Sequence, residues 1–555
     1  MTSASTTRPW LSITPAPAHS SSPFALRHTD MLSLFHHART QSGTQAALHY
    51  FDQTITYAQL NYYSDQFAAY LLANGLQKGE RVALYLQNIP QFTICALGIW
   101  KAGAVGVSIN PMNRAHELTQ LLHDSGSSTL ILHRNLYEQV AREVLQELPH
   151  VQAIVTSSKD FQSRNDLRII KPEDDTATCP DAIDLLEILQ ATYTEEYVAP
   201  LIKQADQHDP AMLVYTSGTT GVPKGAIITH GNLSADAQIY RAWIDIPDGA
   251  AILAMSPLFH VTGLVGHLAL AFACSSATVL MCRFQPEVVA EATQEYQPQF
   301  VVGAITAFIA LMNHPKVSAK QLSSLKRVYT GGAPVPAVLA AEFEAKFGMP
   351  MRNCYGLTES TALALSVPPS QNTPVDADGA FSIGIPVFCT DAYIADEQGT
   401  PMAPGEIGEI MLRGPQIIPG YWNKPAESQA SFINGYLKTG DVGYMNEAGW
   451  FFLVDRKKDM IIASGYKVWP KEVEDVIYSH PAVLEAAVVG VADPYRGETV
   501  KAVISLKPGH IVTSDALIDY CKQRLAAYKY PRVIEIVDEL PKTVTGKILR
   551  RLLRN

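Results

Sequence analysis

Short, almost wholly apolar runs set between helically spaced segments constrain this chain more than anything else in it. Residues 81–86 (RVALYL) read as one such strand, and 129–132 and 211–214 read the same way. Between the first two, residues 91–100 and 117–123 carry apolar side chains at helical spacing. A strand without polar alternation must be covered on both faces. Strand–helix alternation does this, which predicts an α/β architecture with buried parallel strands. A second α/β stretch passes through 301–303 and 327–329. After about Thr373, Gly and Pro become frequent and residues 408–412 alternate, predicting a β-rich subdomain in the form of a distorted barrel. The C-terminal part reads as a small α+β module. Val473, Val476 and Ile477 mark a helix face, and 484–491 and 500–506 read as strands. Ser514 is placed to cap a helix bearing Leu517, Ile518, Cys521 and Leu525.

At 555 residues the chain is long enough for more than one domain and for a buried cleft. A formal charge of −10 gives no general attraction for nucleic acid, and none is expected as a partner. The seven cysteines form no CxxC pair, and an odd count suits reduced thiols in a cytoplasmic protein. Residues 1–24 are rich in Ser, Thr and Pro and lack an apolar core, so the segment before Asp30 (1–29) is expected to be a disordered leader rather than a secretory signal. Residues 157–209 are polar with little periodicity, as in a surface connection. Residues 263–281 come nearest to a membrane span. His267, Ser275 and Ser276 split them into a helical half and a β-like run, 277–281, which reads as buried core. Peripheral membrane contact and homodimerisation are left open.

The chemistry begins after the apolar run 211–214, at Tyr215–Ala226, YTSGTTGVPKGA. Gly218, Gly221 and Gly225 let backbone N–H groups approach an anion; Thr216, Ser217, Thr219 and Thr220 add hydroxyls and Lys224 a mobile charge. A Walker A loop has four residues between its glycines and opens a helix with Gly-Lys-Ser/Thr. Here Gly218 and Gly221 are three apart, and Lys224 leads into Gly225 and Ala226. Taken alone, such a loop is equally a solvated turn.

Four further segments hold residue types that nucleotide chemistry uses. In YGLTES, Tyr355 offers a ring for a purine, while Thr358 and Glu359 suit phosphate and Mg²⁺. Upstream, Gly331, Gly332, Ala333 and Pro334 would bare backbone to a ligand. YLKTGDVG places Asp441 in what reads as a loop, where its carboxylate can clasp ribose hydroxyls or merely cap a turn. Arg456, in the charged run 455–459, either adds a second contact or pairs with Asp455 or Asp459. PKTVTGKILRR places Lys547 after a glycine, near the end of a module that can dock over a distant site.

YTSGTTGVPKGA, YGLTES, YLKTGDVG, DRKKDMIIASGYKVWP and PKTVTGKILRR, in this order and at these separations, resemble the adenylate-forming superfamily of acyl-CoA synthetases, luciferases and adenylation domains. The resemblance runs from about Asp30 to the C-terminus, and residues 434–468 look most like the signature of fatty acyl-CoA synthetases.

That resemblance implies a large N-terminal domain (30–454) of two α/β subdomains and a barrel, a hinge (455–458) centred on Lys458, and a mobile C-terminal lid (459–555). It implies fatty acid, ATP with Mg²⁺, and coenzyme A as reactants. A carboxylate and ATP give acyl-AMP and pyrophosphate; CoA then gives acyl-CoA and AMP. By the same resemblance, Thr216–Lys224 holds the β- and γ-phosphates, and Tyr355 stacks on adenine with Gly356 beside it and Gly332, Ala333 and Pro334 opposite. Thr358 meets the α-phosphate, Glu359 the Mg²⁺, Asp441 and Arg456 the ribose, and Lys547 bridges the acyl carboxylate and α-phosphate. Gly465 matches the glycine beside the pantetheine channel, and His260 a position near the acyl carboxylate. Leu264, Gly303, Thr306, Phe308 and Leu365 are the expected acyl-pocket walls. Ile305 stands where proline is common, and Leu264 where some long-chain enzymes carry a gating Trp, which leaves chain length open. An acyl-AMP ligase serving a carrier protein, an aryl-CoA ligase and a sensor without turnover are the alternatives. Residues 458–470 run through without the insertion that acyl-AMP ligases tend to carry, which favours CoA.

Overall fold

A computed structural model describes residues 8–15, 24–171, 179, 181–191, 193, 205–216, 223–333, 335–376, 379–456, 459–463, 466–493, 497–543 and 547–554, with backbone only at 456, 467 and 497. Four sheets organise them. In the seven-stranded sheet the order is Ile183–Asp184, Gln152–Thr156, Ser127–His133, Arg81–Tyr85, Val105–Ser108, Pro210–Thr216 and Lys224–Thr229. All neighbours are parallel except the last pair. The predicted apolar runs are its centre: Val82 and Leu84 are wholly buried under the helix Pro90–Lys101, and Ala83 and Tyr85 on the opposite face under the helix Ala115–Ser125. Pro90–Lys101 is apolar nearly all round, the pattern of an element enclosed on every side.

The nine-stranded sheet runs Ile385–Pro386, Leu365–Ser366, Met351–Tyr355, Arg327–Thr330, Phe300–Gly303, Ile252–Leu253, Thr278–Leu280, Ala46–Tyr50 and Gln53–Thr56. Its centre is parallel and its edges antiparallel. One continuous hydrophobic core joins both sheets to a third, antiparallel one built from Asp391–Ala395, Gly408–Arg413, Phe432–Ile433, Tyr436–Met445 and Phe451–Arg456. A fourth sheet centres on the long pair Val483–Asp493 and Gly497–Leu506. It has its own core, in which Val473, Ile477, Val488, Ile504 and Leu517 meet. The α/β class with a smaller C-terminal α+β domain is therefore as the sequence implies.

The span 263–281 divides as expected into helical turns, with a π-helical stretch Leu264–Ala269, and the strand Thr278–Leu280. Among the described residues no helix is long and apolar enough to cross a membrane.

Three local expectations are corrected. Part of the leader is folded: Pro9–Ser12 makes a turn of 3-10 helix, and Trp10, 2% exposed, meets Phe451 edge to face at 5.9 Å. Trp10, with the partly buried Ile13 and Phe24, supplies the apolar area that docks the leader on the core, Phe24 stacking on Phe388 at 5.1 Å. Ser514 is the first residue of Ser514–Lys522, and the cap is Thr513, whose side chain accepts the Ala516 N–H. The region 157–209 also holds the buried Ile169 and Ile170, the edge strand Ile183–Asp184 and the helix Leu185–Gln190.

Candidate active site

The parallel strands of the nine-stranded sheet carry their site residues at their carboxyl ends, where open α/β sheets leave a crevice. Met351–Tyr355 ends on the buried Tyr355. Only glycine fits next: a Cβ on Gly356 would lie 1.5 Å from the Ala362 carbonyl oxygen. The chain folds back through the single turn Thr358–Ser360, where the Leu357 N–H donates to Ser360 Oγ at 3.0 Å. Asp236, wholly buried in the helix His230–Ile244, supports this turn by accepting the Leu363 N–H at 3.0 Å. Burial pushes its carboxyl well above the usual carboxylate range.

Asp441 does not lie in a loop. It sits within the strand Tyr436–Met445, beside Gly440 (φ +72°), where pairing with Gly408–Arg413 shifts register. This bulge re-aims the side chain. Tyr355 Oη donates to Asp441 Oδ2 at 2.7 Å, so the ring and the carboxylate that the sequence motifs single out are joined. The backbone of Arg456 is the register partner of Asp441 on the neighbouring strand Phe451–Arg456.

Thr216 and Lys224, on either side of the Gly-rich segment, are register partners at the ends of antiparallel strands. Ser217, Gly218, Thr219, Thr220 and Gly221 lie outside the described residues, as do Pro334, Lys458 and Gly465. Lys224 Nζ lies 5.5 Å from the centroid of the Tyr421 ring, and Tyr421 Oη donates to Glu359 Oε1 at 2.6 Å. Loop lysine and motif glutamate thus come to one place. Gly332, with φ +79°, and Ala333 follow the strand Arg327–Thr330.

His260 caps the short helix Val261–Gly263 by accepting the Thr262 N–H on Nδ1 at 3.3 Å. Burial, aided by the charge of Lys547, pushes it down to about 4. Lys547 belongs to the C-terminal domain, and its charge acts on His260 across the cleft. Lys547 is tied to Thr543, its N–H donating to Thr543 Oγ1 at 3.0 Å and its carbonyl accepting the Thr543 N–H at 2.7 Å. The C-terminal domain also meets the rest of the protein through the Lys507–Glu342 ion pair at 3.2 Å.

Asn88, which no motif announced, fixes the segment leading to His260. Its amide donates to Ala254 O and Ser256 O at 3.1 and 2.9 Å and accepts the Leu258 N–H at 2.7 Å. Of the expected acyl-pocket walls, Leu264, Phe308 and Leu365 are buried and Thr306 is half-buried. A Cβ on Gly303 would meet Met255 Cε at 2.2 Å, so glycine there makes room for the methionine. A cavity of about 320 Å³ lined by Gln299, Lys326 and Arg327 lies at the opposite, amino ends of these strands, away from this chemistry.

The residues so assembled suit adenylation, and comparison with known proteins agrees. The AMP-binding enzyme family model matches residues 34–422, and the AMP-binding enzyme C-terminal domain matches 472–547. A long-chain-fatty-acid–CoA ligase of Bacillus subtilis (strain 168) is 36% identical, covering 98% of this chain and 97% of its own length. One from Salmonella typhimurium (strain LT2) is also 36% identical, at 95% of each chain. Among solved structures, an anthranilate CoA ligase in complex with anthranoyl-AMP superposes with a TM-score of 0.82 at 27% identity, over 96% of this chain and 97% of that one. The chain belongs to the AMP-binding enzyme family.

Proposed function

We propose that this protein is an ATP-dependent fatty acid–CoA ligase acting on medium- to long-chain acids. The observation that carries the reading is the gathering of Tyr355 with Asp441 at 2.7 Å and of Lys224, Tyr421 and Glu359 beside one another, to which the C-terminal domain adds the charge of Lys547. A cation delivered across the cleft serves adenylation; binding alone would not require it.

In the first step an oxygen of the ionised fatty carboxylate attacks the α-phosphorus of ATP, the bond to pyrophosphate breaks, and acyl-AMP forms. The nucleophile is already ionised, so no general base is needed. His260 stays neutral and adds no second charge beside Lys547. Lys547 offsets the charge gathered at the five-coordinate phosphorus, Thr358 meets the α-phosphate, and Lys224 with its loop holds the departing pyrophosphate. Tyr355 covers adenine, with Gly332, Ala333 and Pro334 opposite, while Asp441 and Arg456 hold the ribose.

Glu359 would hold Mg²⁺, which when bound neutralises charge on the phosphates. A lone carboxylate fits that ion, which keeps most of its shell as water and phosphate oxygen. Among the described residues no group of three His, Cys, Asp or Glu forms an all-protein metal site.

In the second step the lid turns about Lys458, withdraws Lys547 and brings Gly465 to the pantetheine channel. The CoA thiol gives its proton to solvent, its sulfur attacks the acyl carbon, and AMP leaves.

The test is pyrophosphate and AMP release by purified protein with Mg·ATP and acids ranging from acetic through lauric, palmitic and stearic to benzoic. Fatty acids should be consumed, and acyl-CoA should appear once CoA is added. Preference for benzoic acid would move the substrate class to aryl acids. Acyl-AMP that persists with CoA yet discharges onto a carrier protein would move the acceptor. No AMP with any acid would end the ligase reading.

A further inference from the structure

A segment to which no motif assigns a role, residues 415–422, runs between the Gly-rich hairpin and the Thr358–Ser360 turn and is bonded to both. On one side the Ile227 N–H donates to Gly420 O at 3.0 Å and the Trp422 N–H to Gly225 O at 2.7 Å, around a bridge between Ala226 and Tyr421. On the other, the Ile418 N–H donates to Glu359 O at 3.0 Å and Thr361 Oγ1 to Gln416 O at 2.6 Å. Asn232 Nδ2 holds Pro415 O and Ile417 O at 2.7 and 3.0 Å. Backbone so fixed at both edges places the Tyr421 side chain with little freedom.

That side chain stands between two opposite charges. Its hydroxyl donates to Glu359 Oε1 at 2.6 Å, and the Lys224 ammonium lies 5.5 Å from its ring centroid, within cation–π range. Among the described residues Glu359 Oε2 accepts no hydrogen bond. Left to themselves, a carboxylate and an ammonium this near the same ring would pair with each other and be lost to the nucleotide.

We propose that Tyr421 is a positioning residue for the metal–nucleotide half of the site: its hydroxyl fixes Glu359 Oε1 and leaves Oε2 for Mg²⁺, while its ring holds Lys224 apart from Glu359. The inference rests on the ligase reading above, in which Glu359 meets the metal and Lys224 the phosphates. Tyr421 itself touches neither reactant.

The experiment is calorimetric binding of a non-hydrolysable ATP analogue to the full-length protein, in EDTA and at stepped Mg²⁺ concentrations. Tyr421→Phe keeps the ring and removes the hydroxyl. It should raise the Mg²⁺ concentration for half-maximal binding by about ten- to a hundredfold, as loss of an outer-shell partner does, and leave binding in EDTA unchanged. Tyr421→Leu, which removes the ring as well, should weaken binding under both conditions. In a Glu359→Gln background Tyr421→Phe should add nothing. An unchanged Mg²⁺ midpoint in Tyr421→Phe, or an additive loss in the double variant, would overturn the proposal. Wild-type protein that binds no Mg²⁺–nucleotide would instead overturn the ligase reading on which it stands.

Discussion

The Tyr355 hydroxyl donates to Asp441 Oδ2 across 2.7 Å, joining the last residue of a nine-stranded-sheet strand to a bulged strand of the antiparallel sheet. Two groups expected to bind different parts of one nucleotide thus preset each other. Tyr355→Phe keeps the ring and removes a hydrogen bond to a buried charged group, which should cost about 1.5–3 kcal/mol in the free protein. Ribose hydroxyls replace the lost donor, so ATP should raise the urea midpoint more in the variant than in wild type. Equal ATP shifts in the two would mean that Asp441 does not face the ribose.

In the proposed mechanism Lys547 acts in one half-reaction only. Lys547→Ala should lower acyl-AMP formation by about a hundredfold or more, in line with removal of a preorganised charge at a transition state. Thioester formation from supplied acyl-AMP should persist. Gly465→Leu should show the reverse pattern, and rapid-quench assays of the separate steps distinguish the two. Equal loss of both steps in either variant would argue against a lid with two working faces.

His260 is pushed down to about 4 and the wholly buried His267 to about 3, burial being the chief cause in each. Both are neutral at neutral pH. Their folded values lie below the unfolded value of 6.5, so the unfolded chain takes up protons first. Their contribution to stability is therefore complete above 6.5 and is lost as pH falls toward about 4 and then about 3. Urea midpoints should fall on acidification through that window, and His267→Gln should flatten the fall. The adenylation rate, by contrast, should show no inflection near 6.5 that His260→Phe removes.

Arg550, three residues beyond Lys547, is lodged among carboxylates. It binds Glu474 at 2.7 and 2.8 Å and Asp455 at 3.3 Å, and Asp459 lies 3.7 Å away. Asp455 lies in Phe451–Arg456, the last strand of the third sheet, and also takes the Lys471 N–H at 2.9 Å, so this cluster ties the segment after Lys547 to that strand and to the helix Pro470–Tyr478. Arg550→Leu removes the cation from buried carboxylates and should cost about 3–5 kcal/mol in the lid. Hydrogen exchange should show faster opening of Gly497–Leu506, with Arg81–Tyr85 unaffected. Uniform loss of protection would mean that the two parts unfold together.

Much of the fold was legible because it rests on local pattern. Residues 91–100 lie inside the helix Pro90–Lys101, and 129–132 inside the strand Ser127–His133, since apolar spacing records which faces are buried. The misreadings share a cause. Trp10 docks against Phe451, over four hundred residues away, so nothing beside it in the chain announces order. Thr513 and Ser514 are both good caps, and only backbone conformation chooses between them. Gly440 reads as a loop glycine because a bulge and a turn use the same residue.

By itself the sequence determined the chemistry. Tyr355, Thr358, Glu359, Asp441 and Lys547 stand in ordered motifs, because a reacting group must be one of few residue types. Only the tertiary structure decided how they are held. Asn88 under the His260 segment, Asp236 under the Thr358 turn and Tyr421 between Lys224 and Glu359 all work through contacts far apart in the chain. An asparagine, an aspartate and a tyrosine occur in every protein, and a supporting role is defined by what the folded chain places within hydrogen-bonding distance. The same holds for Lys547: its motif names the cation, and only the packing of the C-terminal domain decides that its charge is felt at His260.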